Sequence, residues 1–285
     1  MNQVLLPKSN LAEFVSFLGI DQKLVGPVSQ GHGQFKFAEV STLAEMSLQH
    51  LPTILSPKKY YLPPHETLLK YDISDGQKMQ TVVEVEQLVI FAIHTCDLTG
   101  IQCLDQVFSE PPCDRHYLTR KDYVTLIGLE CKEPCDRFAT CAMQDSHLPE
   151  GGYDLFFSEL VSSYHVDVHT PRGAELVKRS GLFEALGGGA ADEFLVERAL
   201  KKQRFQSDWP LNRCETSDLM EQTYDSPVWE ELGQRCLACG NCTNVCPTCY
   251  CFDVLDEPDL NLTTGRRLRV WDSCQHEEFA KGAGG

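Results

Sequence analysis

Leu11, Phe14, Val15 and Leu18 recur at the spacing of one helix face, with Ser9 placed to cap it and Gly19 to close it. Strands are predicted over 24–28 and 34–40. The stretch Ser56-Pro-Lys-Lys-Tyr-Tyr-Leu-Pro-Pro-His65 is too rich in proline for regular structure and is expected to run extended on the surface. An unbroken apolar run over 88–93 predicts a buried strand whose carboxyl end is His94-Thr95-Cys96. Asp97 then caps a helix carrying Leu98, Ile101, Leu104, Val107 and Phe108. A second strand over 123–129 leads to Cys131. Two strands that each deliver a cysteine at the carboxyl edge predict an open α/β sheet with a site at that edge.

Further strands are predicted over 153–160 and 164–168, and Pro171 opens a helix with Leu176 and Val177. Gly187-Gly-Gly189 marks a break and a hinge. An amphipathic helix over 190–206 follows, with Phe194, Leu195, Leu200 and Phe205 on its apolar face. Pro227 opens a short helix over 228–233. The run 266–274 reads as a strand presenting Cys274, with Arg266, Arg267 and Arg269 as a solvated face. Trp271 reads as core or, beside a metal cluster, as a screen against water.

No apolar run in the 285 residues is long enough to span a bilayer, so no membrane partner is expected. Asp and Glu number 41 against 25 Lys and Arg, a net charge of −16 that would repel phosphate backbones and argues against nucleic acid. An acidic surface suits brief docking with redox partners and equally keeps a protein in solution. The start lacks a basic segment before an apolar core, so no secretory signal is read there. Fourteen cysteines are then expected to serve metals in a reducing cytoplasm rather than disulfides.

Six of those cysteines crowd between Cys236 and Cys251. Cys236, Cys239, Cys242 and Cys246, the last followed by Pro247, fit the C-x2-C-x2-C-x3-C-P run that holds 4Fe-4S cubanes. Each iron corner wants a thiolate, and the two-residue gaps let the backbone wrap a corner. Gly240 lies in such a gap, where a positive φ is expected. A structural zinc protein is the alternative from another class. Zinc sites usually pair two C-x2-C knuckles across a longer spacer, which this run does not do. In two-cluster ferredoxins the fourth cysteine reaches to the other cluster. No second run occurs in the chain, so the iron–sulfur domain is expected to be truncated. A free-standing enzyme using Cys96 as nucleophile would need His94, two residues away, as its paired base.

The expected fold class is α+β: an N-terminal α/β domain over 1–187, a helical linker over 188–228, and an incomplete ferredoxin-like 4Fe-4S domain over 229–285. The chain resembles the iron–sulfur β subunit of cytoplasmic sulfhydrogenase-type NiFe hydrogenases, a family that includes the corresponding iron–sulfur subunit of anaerobic sulfite reductase. The resemblance is carried by Phe35-Lys-Phe-Ala-Glu39, the proline-rich block from Pro57 to Leu68, Cys96-Asp-Leu-Thr-Gly-Ile101, the cysteine run, and Val270-Trp-Asp-Ser-Cys274.

That resemblance implies a relay of electrons from or to a flavin- and NAD(P)-binding subunit, with the small and large hydrogenase subunits, or a sulfite reductase catalytic subunit, at the other end. It implies two 4Fe-4S clusters in a complete protein, and room for a third. Cys249, Cys251 and Cys274 match family positions and could join an N-terminal cysteine, or could line the cluster fold as buried thiols. Family members usually carry a Cys-Phe-Cys triplet where this chain reads Ala139-Thr-Cys141. Cys96, Cys131 and Cys141 are the remaining candidate ligands, with Cys135 a substitute for the missing thiol.

Overall fold

The computed structural model describes residues 2–74, 78–148, 150–206 and 209–279. In chain order the elements are β1 (Asn2–Pro7), α1 (Leu11–Leu18), β2 (Lys23–Gly31), β3 (Gln34–Glu39), β4 (His65–Asp72), β5 (Lys78–Thr81), β6 (Leu88–Ile93), α2 (Thr95–Ser109), α3 (Arg115–Tyr123) and β7 (Val124–Leu129). There follow β8 (Leu155–Glu159), β9 (Ser163–Val168), α4 (Pro171–Ser180), β10 (Glu184–Ala185), α5 (Gly188–Arg204), α6 (Arg213–Gln222), α7 (Pro227–Arg235), α8 (Asn241–Val245), β11 (Phe252–Pro258) and β12 (Thr264–Trp271).

One eight-stranded sheet runs β10-β1-β9-β8-β7-β6-β2-β3. Its centre is parallel, β2 to β6 to β7 to β8, and its flanks are antiparallel. Every residue of β6 and β7 is buried, as a central strand covered on both faces requires. Val89 and Phe91 alternate toward a core with Phe14, Val15 and Leu18 of α1. Leu88 and Ile90 face the other way, onto Leu98, Ile101, Leu104 and Phe108 of α2. Ala92, at φ 61°, interrupts the β6–β7 register between Phe91 and Ile93. This bulge re-aims the chain as it enters α2.

A second sheet, β11-β12-β4-β5, is antiparallel throughout. Its strands come from both ends of the chain: β4 and β5 lie within 1–187, β11 and β12 within 229–285. The C-terminal segment is thereby sewn to the N-terminal half through Val270↔His65, Arg269↔Glu66 and Leu268↔Thr67. The segment read as a linker also packs on the main sheet: Phe194 of α5 stacks on His165 at 3.8 Å, and Lys201 Nζ meets Glu130 at 3.0 Å.

Two expectations need correction. The proline-rich stretch is not a surface run. Ser56 caps a short 3-10 turn over Pro57–Tyr60, and Ser56, Pro57, Lys58, Tyr61 and Leu62 are all buried. Proline forbids a helix interior or a central strand but suits the first position of a turn, so this composition does not forbid burial. Nor are the three β12 arginines one solvated face. Arg266 and Arg267 pair with Glu257 and Asp256 at the surface, at 2.8 and 2.7 Å. An irregularity between Arg267 and Leu268 resets the strand, and Arg269 points inward to Glu66 and Asp114, with Arg120 also on Glu66. Removing one partner from such a buried set typically costs ~3–5 kcal/mol. The Ala283-Gly-Gly285 segment lies outside the described residues.

Candidate iron–sulfur site

The cysteine run begins where α7 ends. Ala238 at φ 49° and Gly240 at φ 70° turn the backbone tightly between Cys236 and Cys242, and the Ala238 N–H donates to Cys236 Sγ at 3.4 Å. This is the inward-facing amide expected of a chain that wraps thiolate and sulfide charge. A side chain at position 240 would be strained by its φ and would also strike His276 Nε2 at 2.5 Å. The loop that leaves β12 folds back over this turn: Thr243 Oγ1 donates to the Gly240 carbonyl at 2.7 Å and shares a hydrogen bond with the fully buried Ser273 at 2.8 Å.

Cys236, Cys239 and Cys242 are exposed, while Cys246, Cys249 and Cys251 are half-buried against the N-terminal half. Pro247 sits on Gly100 of α2 so closely that an added Cβ there would lie 2.6 Å from its ring. Beside it, Lys58, 2% exposed, donates from Nζ to the carbonyls of Cys246 at 2.7 Å, Cys249 at 2.8 Å and Thr243 at 3.4 Å. Three acceptors match the three N–H bonds of an ammonium. The same amine lies 4.6 Å above the Trp271 ring, whose Nε1 donates to the Leu62 carbonyl. Burial pushes the Lys58 ammonium down, and the neighbouring Cys249, Cys246 and Cys251 thiols push back.

Burial raises the Cys246 thiol too, but hydrogen bonds from Thr248 and Cys249 outweigh it and leave Cys246 below its ordinary value. Its partner Cys249 is pushed up to about 11, first by burial and then by that shared bond. The bond between them thus lowers Cys246 and raises Cys249. Cys274, exposed, follows Ser273 in the returning loop, and Asp272 N–H donates to the Cys251 carbonyl at 3.0 Å.

The N-terminal candidates fall elsewhere. Cys96 occupies the first turn of α2, where His94 rather than Asp97 is the capping residue, and Cys131 and Cys141 lie in the connection after β7. All 14 cysteines are free thiols. Among the described residues, no three His, Cys, Asp or Glu side chains converge as the ligands of a single metal ion do. A cubane asks for something different, one thiolate at each of four separate irons. The donor set of the C-terminal run, all thiols on a tightly turned backbone with amides facing sulfur, fits that group. Bound there, it would supply one-electron chemistry.

Lys58 and Gly100 are the site residues that sequence pattern alone does not single out. Both lie inside blocks that carry the family resemblance, which is the signal that could have found them. No helix among the described residues is long and apolar enough to cross a membrane.

Residues 235–285 match the 4Fe-4S dicluster domain family. Over its full length the chain is 30% identical to sulfhydrogenase 2 subunit beta of Pyrococcus furiosus, covering 83% of that protein. No solved structure matches the chain. Matched from end to end by such a relative and ending in a 4Fe-4S domain, the chain belongs to the family of sulfhydrogenase-type iron–sulfur β subunits.

Proposed function

We propose that the protein is an electron-transfer subunit of a cytoplasmic NiFe hydrogenase. It passes single electrons through 4Fe-4S clusters between the catalytic subunits and a flavin- and NAD(P)-binding subunit. Cys236, Cys239, Cys242 and Cys246 are its cluster ligands. The observation that carries this reading is the exposed position of the first three thiols on a tightly turned loop. Electron hand-off needs a cluster near the surface and no substrate chamber. The relative named as a hydrogenase subunit supports the choice of complex.

Purified without oxygen, the chain should carry iron and acid-labile sulfide and absorb broadly in the visible, bleaching with dithionite. Serine at Cys236 and Cys239 should remove that absorption in proportion to the iron lost. Stoichiometric zinc with no labile sulfide would end the proposal.

A further inference from the structure

α6 and α7, ten and nine residues long, lead the chain to the cysteine run, and neither contains a buried residue. Isolated helices this short are marginal in water, so their stability has to come from packing on one face. The contacts made within the chain are narrow. Thr216 of α6 donates to Met143 Sδ at 3.6 Å, and Trp229 Nε1 of α7 donates to the Thr223 carbonyl at 2.6 Å, which holds α7 to the end of α6.

α7 presents an apolar stripe. Val228, Leu232 and Cys236 recur at i, i+4 and i+8, with Trp229 beside them three residues before Leu232. The Trp229 ring is 42% exposed although its N–H is satisfied, and Val228 and Leu232 are as open. The stripe ends at the first thiol of the iron–sulfur run, and the next residue, Leu237, is 89% exposed. It therefore borders the place where an electron would leave.

The same segment is acidic. Between Trp209 and Arg235 stand Glu215, Asp218, Glu221, Asp225, Glu230 and Glu231 against Arg213 and Arg235, and all six acids are exposed. At about 100° per residue, Glu231 and Glu230 fall on the two flanks of the stripe. Among the described residues only Glu231 of the six has an ion-pair partner, Arg235 at 3.4 Å. This charge selects the occupant. A second copy of the chain would set acid against acid, and an anionic lipid or a nucleic acid would be repelled in the same way. The complement is a protein with an apolar face rimmed by lysine or arginine, because aromatic anchors work at the centre of an interface and charges at its rim.

The inference rests on the relay reading above: we propose that Val228, Trp229, Leu232 and Leu237 form the docking surface for a basic one-electron carrier protein. Trp229 is the anchor, and Glu230 and Glu231 steer the carrier in. One electron passes to the carrier, which is reduced as the cluster is oxidised, with no bond made or broken.

Cytochrome c, a small basic protein whose exposed haem edge is ringed by lysines, serves as the probe. Its oxidised form is titrated calorimetrically into the full chain, purified without oxygen and also oxidised, so that binding is read apart from electron transfer. Rapid mixing with the chain, reduced by dithionite and freed of the excess, then reads the transfer. Trp229→Ala should weaken binding by about 10-fold or more. Glu230→Gln with Glu231→Gln, which leaves the packing alone, should weaken it by about 3- to 10-fold at low salt and far less at ~0.5 M salt. Glu13→Gln with Glu175→Gln removes the same charge from α1 and α4, which pack on the face of the main sheet away from α2, and should leave binding within about 2-fold. Transfer rates should fall in the same order, at unchanged iron and sulfide content. The proposal is overturned if the wild type does not bind the probe, if Trp229→Ala binds as the wild type does, or if the α1 and α4 pair weakens binding as much as the α7 pair. Where the chain still holds iron and labile sulfide, those outcomes remove the docking surface and leave the relay reading standing. Zinc without sulfide removes both.

Discussion

Replacing Lys58 with methionine keeps most of the length of the side chain and removes its charge. The carbonyls of Cys246 and Cys249 then lose donors at 2.7 and 2.8 Å, and the contact over Trp271 goes with them. Two buried acceptors left unpaired cost ~1–3 kcal/mol each, and the cation–π contact ~0.5–2 kcal/mol. Against this, the variant no longer desolvates an ammonium, which returns several kcal/mol. The net effect on folding should therefore be small, about 1–3 kcal/mol of destabilisation. The electrical effect is cleaner. A unit charge ~8 Å from a cluster tied to Cys246, at an effective dielectric near 20, contributes about 2 kcal/mol. For a one-electron couple that is about 90 mV. Reduction adds negative charge, so losing the cation must lower the potential. A redox titration followed by paramagnetic resonance, on anaerobic wild type and Lys58→Met of matched iron content, checks this. A potential unchanged within about 20 mV, or one that rises, would refute the placement of a charged Lys58 beside the cluster.

Two other outcomes follow from neighbouring packing. Gly100→Ala puts a methyl 2.6 Å from the Pro247 ring, and overpacking of this kind costs ~1–3 kcal/mol. Iron release to a chelator should then quicken by roughly 5- to 150-fold, and an unchanged rate would show that α2 does not brace the cysteine run. His50 stacks on His94 at 3.7 Å and is held neutral: burial first, then the charge of His94, lower it from 6.5 to about 3. Its folded pKa lies below the unfolded one, so its share of stability is intact above pH 6.5 and falls away as the pH drops toward 3. At pH 5 the loss is roughly 2 kcal/mol. Denaturant unfolding at pH 7 and pH 5 should show His50→Phe losing less stability than wild type between the two; equal losses would contradict a buried neutral His50.

Local pattern carried much of the secondary structure. The apolar stripe of α1, the all-apolar β6, Pro171 at the head of α4 and Pro227 at the head of α7 were legible because prolines and periodicity act over a few residues, whereas the caps expected at Ser9 and Asp97 fall instead at Asn10 and His94. The positive φ at Gly240 was legible for the same reason. Short edge strands such as β5 and β10 were not, because edge strands lack the two-sided burial that writes an apolar run. The burial of Arg269 was hidden as well. It depends on a register irregularity opposite Glu66, and strand pairing at a separation of 203 residues leaves no local trace.

By itself, then, the sequence determined the chemistry on offer: how many thiols there are, and the spacing that suits a cubane between Cys236 and Cys246. Only the tertiary structure decided which groups meet. It set Lys58 against carbonyls up to 191 residues away and laid Pro247 on Gly100. The physical reason is that ligand spacing is a property of the covalent chain, whereas these meetings are products of burial and strand pairing, which are settled only when the whole core closes.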